Sequence, residues 1–177
     1  MATEPLGVRV FDPPGFEIVR GVRREKVSPA RRHARVQAKL AAMLLAWADG
    51  RGEVTVEWDI DLTEPGAKPT HLRPDIAYAS HERLAACTSL HLTLPHIAPE
   101  LIVEVRSPSD RESEIAEKIA IYLAQGAVVV IDADPETRTF RVSDARGATS
   151  LQAPATFAHP ALPGLRVDLD TVFPQLS

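Results

Sequence analysis

Two carboxylates and a lysine sit at spacings that could do chemistry. Arg73-Pro74-Asp75 opens a short apolar run, Ile76-Ala77-Tyr78, and Leu101-Ile102-Val103-Glu104-Val105-Arg106 carries Glu104 inside a β-branched run. Lys118 follows on a segment of helical periodicity. A buried strand rarely holds an ionisable side chain without a partner, because an unpaired buried charge is costly. Two acidic residues embedded in such strands, with a lysine shortly after, are the makings of a divalent-metal site with a nearby base. That combination is suited to hydrolysing a phosphodiester.

The elements that must position these residues follow from pattern. Phe16 to Val19 and Val22 to Val27 flank Arg20-Gly21 and predict a hairpin. Ser28-Pro29 offers an N-cap with proline at the first helical position. Val36, Leu40, Met43, Leu44 and Trp47 then recur at helical spacing, and Gly50 ends the run. His33 shares that face and is expected to point inward, either toward the site or as a hydrogen-bonded core residue. Val54, Val56, Trp58, Ile60 and Leu62 alternate with polar residues and predict one half-buried strand. A Pro/Gly turn region from Thr63 to Thr70 leads to a short strand at Asp75 to Ala79. His81 to Glu100 is poorly periodic, which suggests a functional loop. Leu101 to Arg106 is the most buried-looking strand. Ser107-Pro108-Ser109-Asp110 is expected to break it and cap a helix whose inner face holds Ile115, Ile119, Tyr122 and Leu123, with Gly126 at its end. Ala127 to Ile131 and Arg138 to Val142 predict two more strands about the turn Asp134-Pro135-Glu136-Thr137. Further short strands are expected around Thr149 to Gln152 and Leu165 to Leu169.

Composition narrows the class. At 177 residues, 45% apolar and 25% charged, the chain is expected to be one domain, residues 1–177, with a substantial core. The longest uninterrupted apolar run, Leu40 to Ala48, falls far short of a membrane span, so no membrane partner is expected. Met1-Ala2-Thr3-Glu4-Pro5 lacks the basic start and apolar centre of a signal peptide, which makes a cytoplasmic location the default. The single cysteine, Cys87, cannot form an internal disulfide. His81, His91 and His96 match no closed zinc site with so few thiolates available. Val128 to Asp134 resembles a nucleotide-binding strand, but no Gly-rich phosphate loop accompanies it. The net charge is −4, yet eight basic residues fall between Arg20 and Lys39 against Glu25 alone. That segment, with Arg31, Arg32 and Arg35 at its helical end, is either a dock for a polyanion or a solvated face.

The core order of helix, three strands, helix and strand resembles the PD-(D/E)XK nuclease core. Asp75 falls on the second strand of the triplet and Glu104 on the third. More closely, the chain resembles the Uma-type family of predicted restriction endonucleases. The resemblance runs from Phe16-Glu17-Ile18-Val19-Arg20-Gly21 through Ser28-Pro29, His33 and Arg73-Pro74-Asp75. It continues through Pro99 to Ser109, Lys118, Tyr122, Gly126 and Asp134-Pro135 to Leu162-Pro163-Gly164-Leu165. It implies an α/β restriction endonuclease-like fold, a mixed central αβββαβ sheet with an added N-terminal hairpin and C-terminal strands.

It also implies a metal-dependent endonuclease acting on DNA. Asp75, Glu104 and the Val105 carbonyl would hold Mg²⁺, with Mn²⁺ as a substitute, since both favour oxygen ligands. The superfamily places a lysine two positions after the glutamate, where this chain has Arg106. A guanidinium stays protonated and is a poor base. The resemblance therefore assigns the lysine role to Lys118 on the following helix, where Glu114, Lys118 and Tyr122 share a face. The plain alternative is a surface ion pair between Glu114 and Lys118. Arg106, Tyr122, Glu114 and His33 are expected as accessory residues, and Arg31, Arg32, Arg35, Ser107 and Ser109 at the nucleic acid. The family usually carries aromatic residues near Val128 to Ile131, where this chain is aliphatic with Asp132 in the run. A homodimer suits the cutting of two strands. The competing readings are a non-cleaving member of the same fold that binds nucleic acid or protein, and hydrolysis of a smaller phosphoester.

Overall fold

The computed structural model describes residues 15–26, 30–86 and 98–173. Its strands are β1 (Phe16–Val19), β2 (Val22–Glu25), β3 (Gly52–Val56), β4 (Ile60–Asp61), β5 (His71–Leu72), β6 (Ile76–Ser80), β7 (Leu101–Val105), β8 (Val129–Asp134), β9 (Thr139–Asp144), β10 (Gly147–Gln152), β11 (Thr156–Phe157) and β12 (Val167–Asp168). Four helices, α1 (Arg31–Ala48), α2 (His81–Ala86), α3 (Glu112–Ala124) and α4 (Leu169–Val172), complete the order.

A six-stranded mixed sheet, β10-β9-β8-β7-β6-β3, forms the centre. Only β7 and β8 run parallel, joined through α3 as a crossover; the other neighbours are antiparallel. The periodicity explains the layers. Val36, Leu40 and Leu44 of α1 bury against one face of this sheet with Ile76, Val103 and Ile131. On the other face Ile115, Ile119 and Tyr122 of α3 meet Ala77, Ile102 and Val130. Val19, Ile60 and Leu72 join that second cluster from a smaller sheet, β2-β1-β5-β4. The fold is the mixed α/β architecture that the order of elements predicts, with the N-terminal hairpin formed across Arg20 and Gly21.

Three local expectations need correction. The single strand expected from Val54 to Leu62 is two strands in two sheets: β3 pairs with β6, while β4 pairs with β5. The break falls at Glu57, where φ is +52°, and beyond it the chain passes from the large sheet to the small one. Because β3 is an edge strand, Val56 is left 50% exposed although the alternation marks it as inward. Asp110 does not cap α3, whose N-cap is Arg111 without a side-chain bond. Its Oδ2 instead accepts the Ser107 N–H at 2.7 Å and closes the turn. The segment from His81 begins with the short helix α2, which buries no residue. The expected Ser28-Pro29 cap lies outside the described residues, and α1 starts at Arg31 with Ala30 at its N-cap. Among the described residues no helix is long and apolar enough to cross a membrane.

Gly52 shows how closely β3 lies on β6. A Cβ there would fall 2.2 Å from the Ala79 carbonyl oxygen and 2.7 Å from Ser80 Cα, both backbone atoms with no rotamer to yield. Gly52→Ala is expected to cost about 3 kcal/mol or more through a forced backbone shift, read as a lower urea midpoint. A midpoint unchanged from the wild type would show that β3 can move away at little cost.

Candidate active site

Strand register brings the acidic residues into one row. The β6–β7 ladder pairs Ile76 with Val103, and one further step sets Asp75 opposite Glu104. The parallel β7–β8 ladder pairs Glu104 with Asp132. Residues directly opposite share a face, so the three carboxylates stand side by side across three strands. Like charges in that arrangement repel, and each carboxylate has its own cation. Lys26 Nζ lies 3.0 Å from Asp75 Oδ1, Lys118 Nζ lies 2.7 Å from Glu104 Oε1, and Arg106 grips Asp132 with Nε at 2.7 Å and Nη2 at 2.5 Å. All six line a cavity of about 320 Å³ beside α3.

Asp75, Glu104 and Lys118, the three residues singled out from sequence, are therefore brought together. Asp75 is 3% exposed; its Oδ2 accepts the Val105 N–H at 2.7 Å. Val105 thus reaches the site through its amide. Glu104 Oε1 also accepts from the Tyr122 hydroxyl at 2.8 Å, and Tyr122 is wholly buried. His33 is buried and bridges two parts of the site, with Nε2 3.5 Å from Asp75 Oδ1 and Nδ1 3.2 Å from Ser107 Oγ. It is both a core residue and a site residue.

Lys118 does not form the surface pair with Glu114. Its second carboxylate is Glu17 of β1, at 2.9 Å, and Glu114 lines the cavity separately. Arg106 also reaches Glu112 at 2.8 Å, so its guanidinium is committed to two carboxylates. This accounts for Asp132 directly after the aliphatic run Val128 to Ile131: it is the buried partner of Arg106. Arg31, Arg32 and Arg35 are exposed on α1 and do not line the cavity, and Arg32 pairs with Glu136 at 2.9 Å. Ser109 is exposed on the turn after β7.

Glu17 and Lys26 are the residues that sequence reasoning missed. Both belong to the N-terminal hairpin, and Lys26 joins the site from 49 positions away. The only available signal was Glu17 as an acidic residue inside the apolar run Phe16 to Val19, the same anomaly that marks Glu104.

Electrostatics separate the two central carboxyls. Burial alone would raise Asp75, but the His33 hydrogen bond, the Lys26 charge and the Val105 amide outweigh it and hold the carboxyl well below its usual range. Burial pushes Glu104 up to about 7; Lys118 opposes that shift, while Asp75 and Glu17 add to it. For Lys118 burial works against the charge, yet Glu104 and Glu17 prevail and raise its pKa well above the ordinary value. Lys118 is thus held as an ammonium in the metal-free protein.

Among the described residues no group of three or more His, Cys, Asp or Glu side chains is arranged as a ready metal cage. Cys87, His91 and His96 lie outside the described residues. The donor chemistry nevertheless fits a hard divalent cation. Glu104 Oε2 has no partner among the described residues, and burial, with Asp75 and Glu17 adding to it, disfavours the Glu104 carboxylate charge that such a cation would stabilise.

The family model for "Uma2: Putative restriction endonuclease" matches residues 10–171. The chain belongs to the Uma2 family. Uma2 membership supports a nuclease function. Among solved structures, the fold is similar to the crystal structure of a "putative nuclease belonging to DUF820" from Anabaena variabilis. The two superpose with a TM-score of 0.79 at 18% identity, over 90% of each chain. At that identity the likeness carries the fold. No curated protein matches the chain.

Proposed function

We propose that the protein is a divalent-metal-dependent endonuclease acting on DNA, with Asp75, Glu104 and Lys118 at its centre. The observation that carries this reading is that Asp75, held by the Val105 amide at the end of β7, and Glu104 of β7 line one cavity, with the Lys118 ammonium on Glu104. Asp75, Glu104 and the Val105 carbonyl would hold Mg²⁺ or Mn²⁺. When bound, such an ion polarises a phosphoryl oxygen and lowers the pKa of its water.

The chain's own groups do the rest. Lys118, fixed by Glu17 and Glu104, would present positive charge to the phosphoryl oxygens, on which negative charge resides in the transition state. Tyr122 orients Glu104, and His33 with the Val105 amide orients Asp75. Arg106, held by Asp132 and Glu112, fixes the cavity wall and supplies the buried Asp132 with its counter-charge. Arg31, Arg32 and Arg35 of α1, with Ser107 and Ser109 on the turn after β7, are the residues we assign to the nucleic-acid backbone. We assign a homodimer as the assembly for duplex cleavage, since cutting two strands needs two sites or two encounters.

The test is cleavage of a mixed-sequence duplex with Mg²⁺ or Mn²⁺, against the same protein in EDTA and against Asp75→Asn. Cleavage by the wild type with metal alone is the expected result. In the same preparation, replacing Arg31, Arg32 and Arg35 by Ala should weaken duplex affinity. It should also flatten its salt dependence by roughly 0.9 log unit per lost phosphate contact. A wild type that cuts nothing with any divalent metal would leave the binding-only reading as the better account. An unchanged salt slope would return the basic segment to a solvated face.

A further inference from the structure

The two central carboxyls are not equally open to a cation. Glu104 keeps Oε2 free of any partner among the described residues, whereas both Asp75 oxygens are engaged. Oδ2 accepts from the Val105 amide, which belongs to the end of β7 and cannot leave without unzipping the strand. Oδ1 faces His33 and Lys26. His33 is buried and held by Ser107 on its other nitrogen. Lys26 is the exchangeable partner. Its side chain is 22% exposed, and its ammonium makes two bonds, to Asp75 and to the Arg73 carbonyl at 2.8 Å. The third N–H has no acceptor among the described residues.

We propose that Lys26 is a built-in competitor for the metal: its ammonium occupies the cation position on Asp75 in the metal-free protein and sets the affinity with which a divalent ion enters. This inference rests on the metal-dependent reading above and names the residue that regulates that site. The physical need is clear. A carboxylate only 3% exposed would be costly to leave without a cation, and an exchange of cations avoids that state at every stage. The Arg73 carbonyl supplies an anchor that keeps the displaced ammonium at the cavity, where its free N–H groups suit a phosphate oxygen.

A merely structural Lys26 would make the opposite prediction, since loss of its bond should loosen Asp75 and weaken metal binding. Lys26→Met keeps the length of the side chain and removes the charge. Asp75 retains His33 and the Val105 amide, and Lys26→Arg serves as a variant that keeps the charge. Mn²⁺ binding is measured without nucleic acid, by isothermal titration and by the electron-paramagnetic signal of free Mn²⁺. Lys26→Met should tighten Mn²⁺ by about tenfold or more, and Lys26→Arg should stay within about threefold of the wild type. Arg24→Met controls for charge in general, because Arg24 lines the same cavity but pairs with Glu117 at 2.8 Å; it should change affinity by less than about threefold. Equal gains in the Arg24 and Lys26 variants, or an unchanged or weaker Mn²⁺ affinity in Lys26→Met, would overturn the role of Lys26 alone. If neither wild type nor Lys26→Met binds Mn²⁺, the metal-site reading falls with it. Binding by Lys26→Met where the wild type binds none would support the competitor role.

Discussion

Replacing Lys118 by methionine is expected to lower single-turnover cleavage about 100-fold or more, close to 3 kcal/mol of barrier, while duplex and metal still bind. The Lys118 ammonium lies between Glu17 and Glu104, both of which favour its charged form. Its contribution is therefore positive charge placed at a largely buried site, where such charge acts more strongly than in water. Lys118→Arg should retain part of the activity, because a guanidinium can span the same two carboxylates. If Lys118→Arg is as inactive as Lys118→Met with metal and duplex bound, proton transfer is the better account. Removing the cation also leaves buried carboxylates facing one another, so rates should be compared where circular dichroism shows each variant folded. Arg106→Ala should separate from this pattern. Its loss strands Asp132, which is 1% exposed, and should appear mainly as lost stability, with the smaller effect on turnover. A dead Arg106→Ala beside a fully active Lys118→Met would reverse the assignment.

The parts of this site that were legible in the sequence are those where a charge interrupts an apolar run. Glu104 within Leu101 to Val105 and Asp75 before Ile76 are conspicuous because burial of an unpaired carboxylate is unfavourable. Helical spacing likewise puts Lys118 and Tyr122 on one face, and both reach Glu104. Lys26 was hidden by the opposite circumstance. It stands among seven other basic residues from Arg20 to Lys39, and nothing local separates a lysine folded back onto Asp75 from one in solvent. Its partner is chosen by the β1–β5 pairing, which lays the hairpin beside the segment leading into β6. Tertiary pairing of that kind leaves no periodic trace. The break at Glu57 was hidden for a related reason: alternation persists on both sides of it, so pattern alone cannot reveal that the two halves join different sheets.

The metal-free protein should lose stability as pH rises from 6 to 8, and a divalent cation should restore it. Glu104 carries the argument, because burial raises its carboxyl from an ordinary 4.5 to about 7. Between those values the folded state holds a proton that the unfolded chain has released. Folding stability therefore falls with rising pH across that window, by on the order of 3 kcal/mol at most if no other group compensates, and the step from pH 6 to 8 takes in its last part, on the order of 1 kcal/mol. Asp75 acts with the other sign: its depressed pKa gives stability that is present above about pH 4 and lost only in stronger acid, so it is constant here. The raised pKa of Lys118 likewise matters only in strong alkali. A cation held by ionised Glu104 must displace the proton at pH 6 but not at pH 8, so its stabilising effect should be larger at pH 8. At about a hundred times its dissociation constant it would add roughly 2.7 kcal/mol. For a domain of this size that is a rise in Tm of about 5–10 °C. Melting curves in EDTA and in millimolar Mg²⁺ or Mn²⁺ at both pH values give the comparison. Glu104→Gln should be flatter with pH in EDTA and gain little from metal. A wild-type Tm in EDTA that does not fall from pH 6 to 8, or a metal-induced rise that survives intact in Glu104→Gln, would remove Glu104 from the metal site.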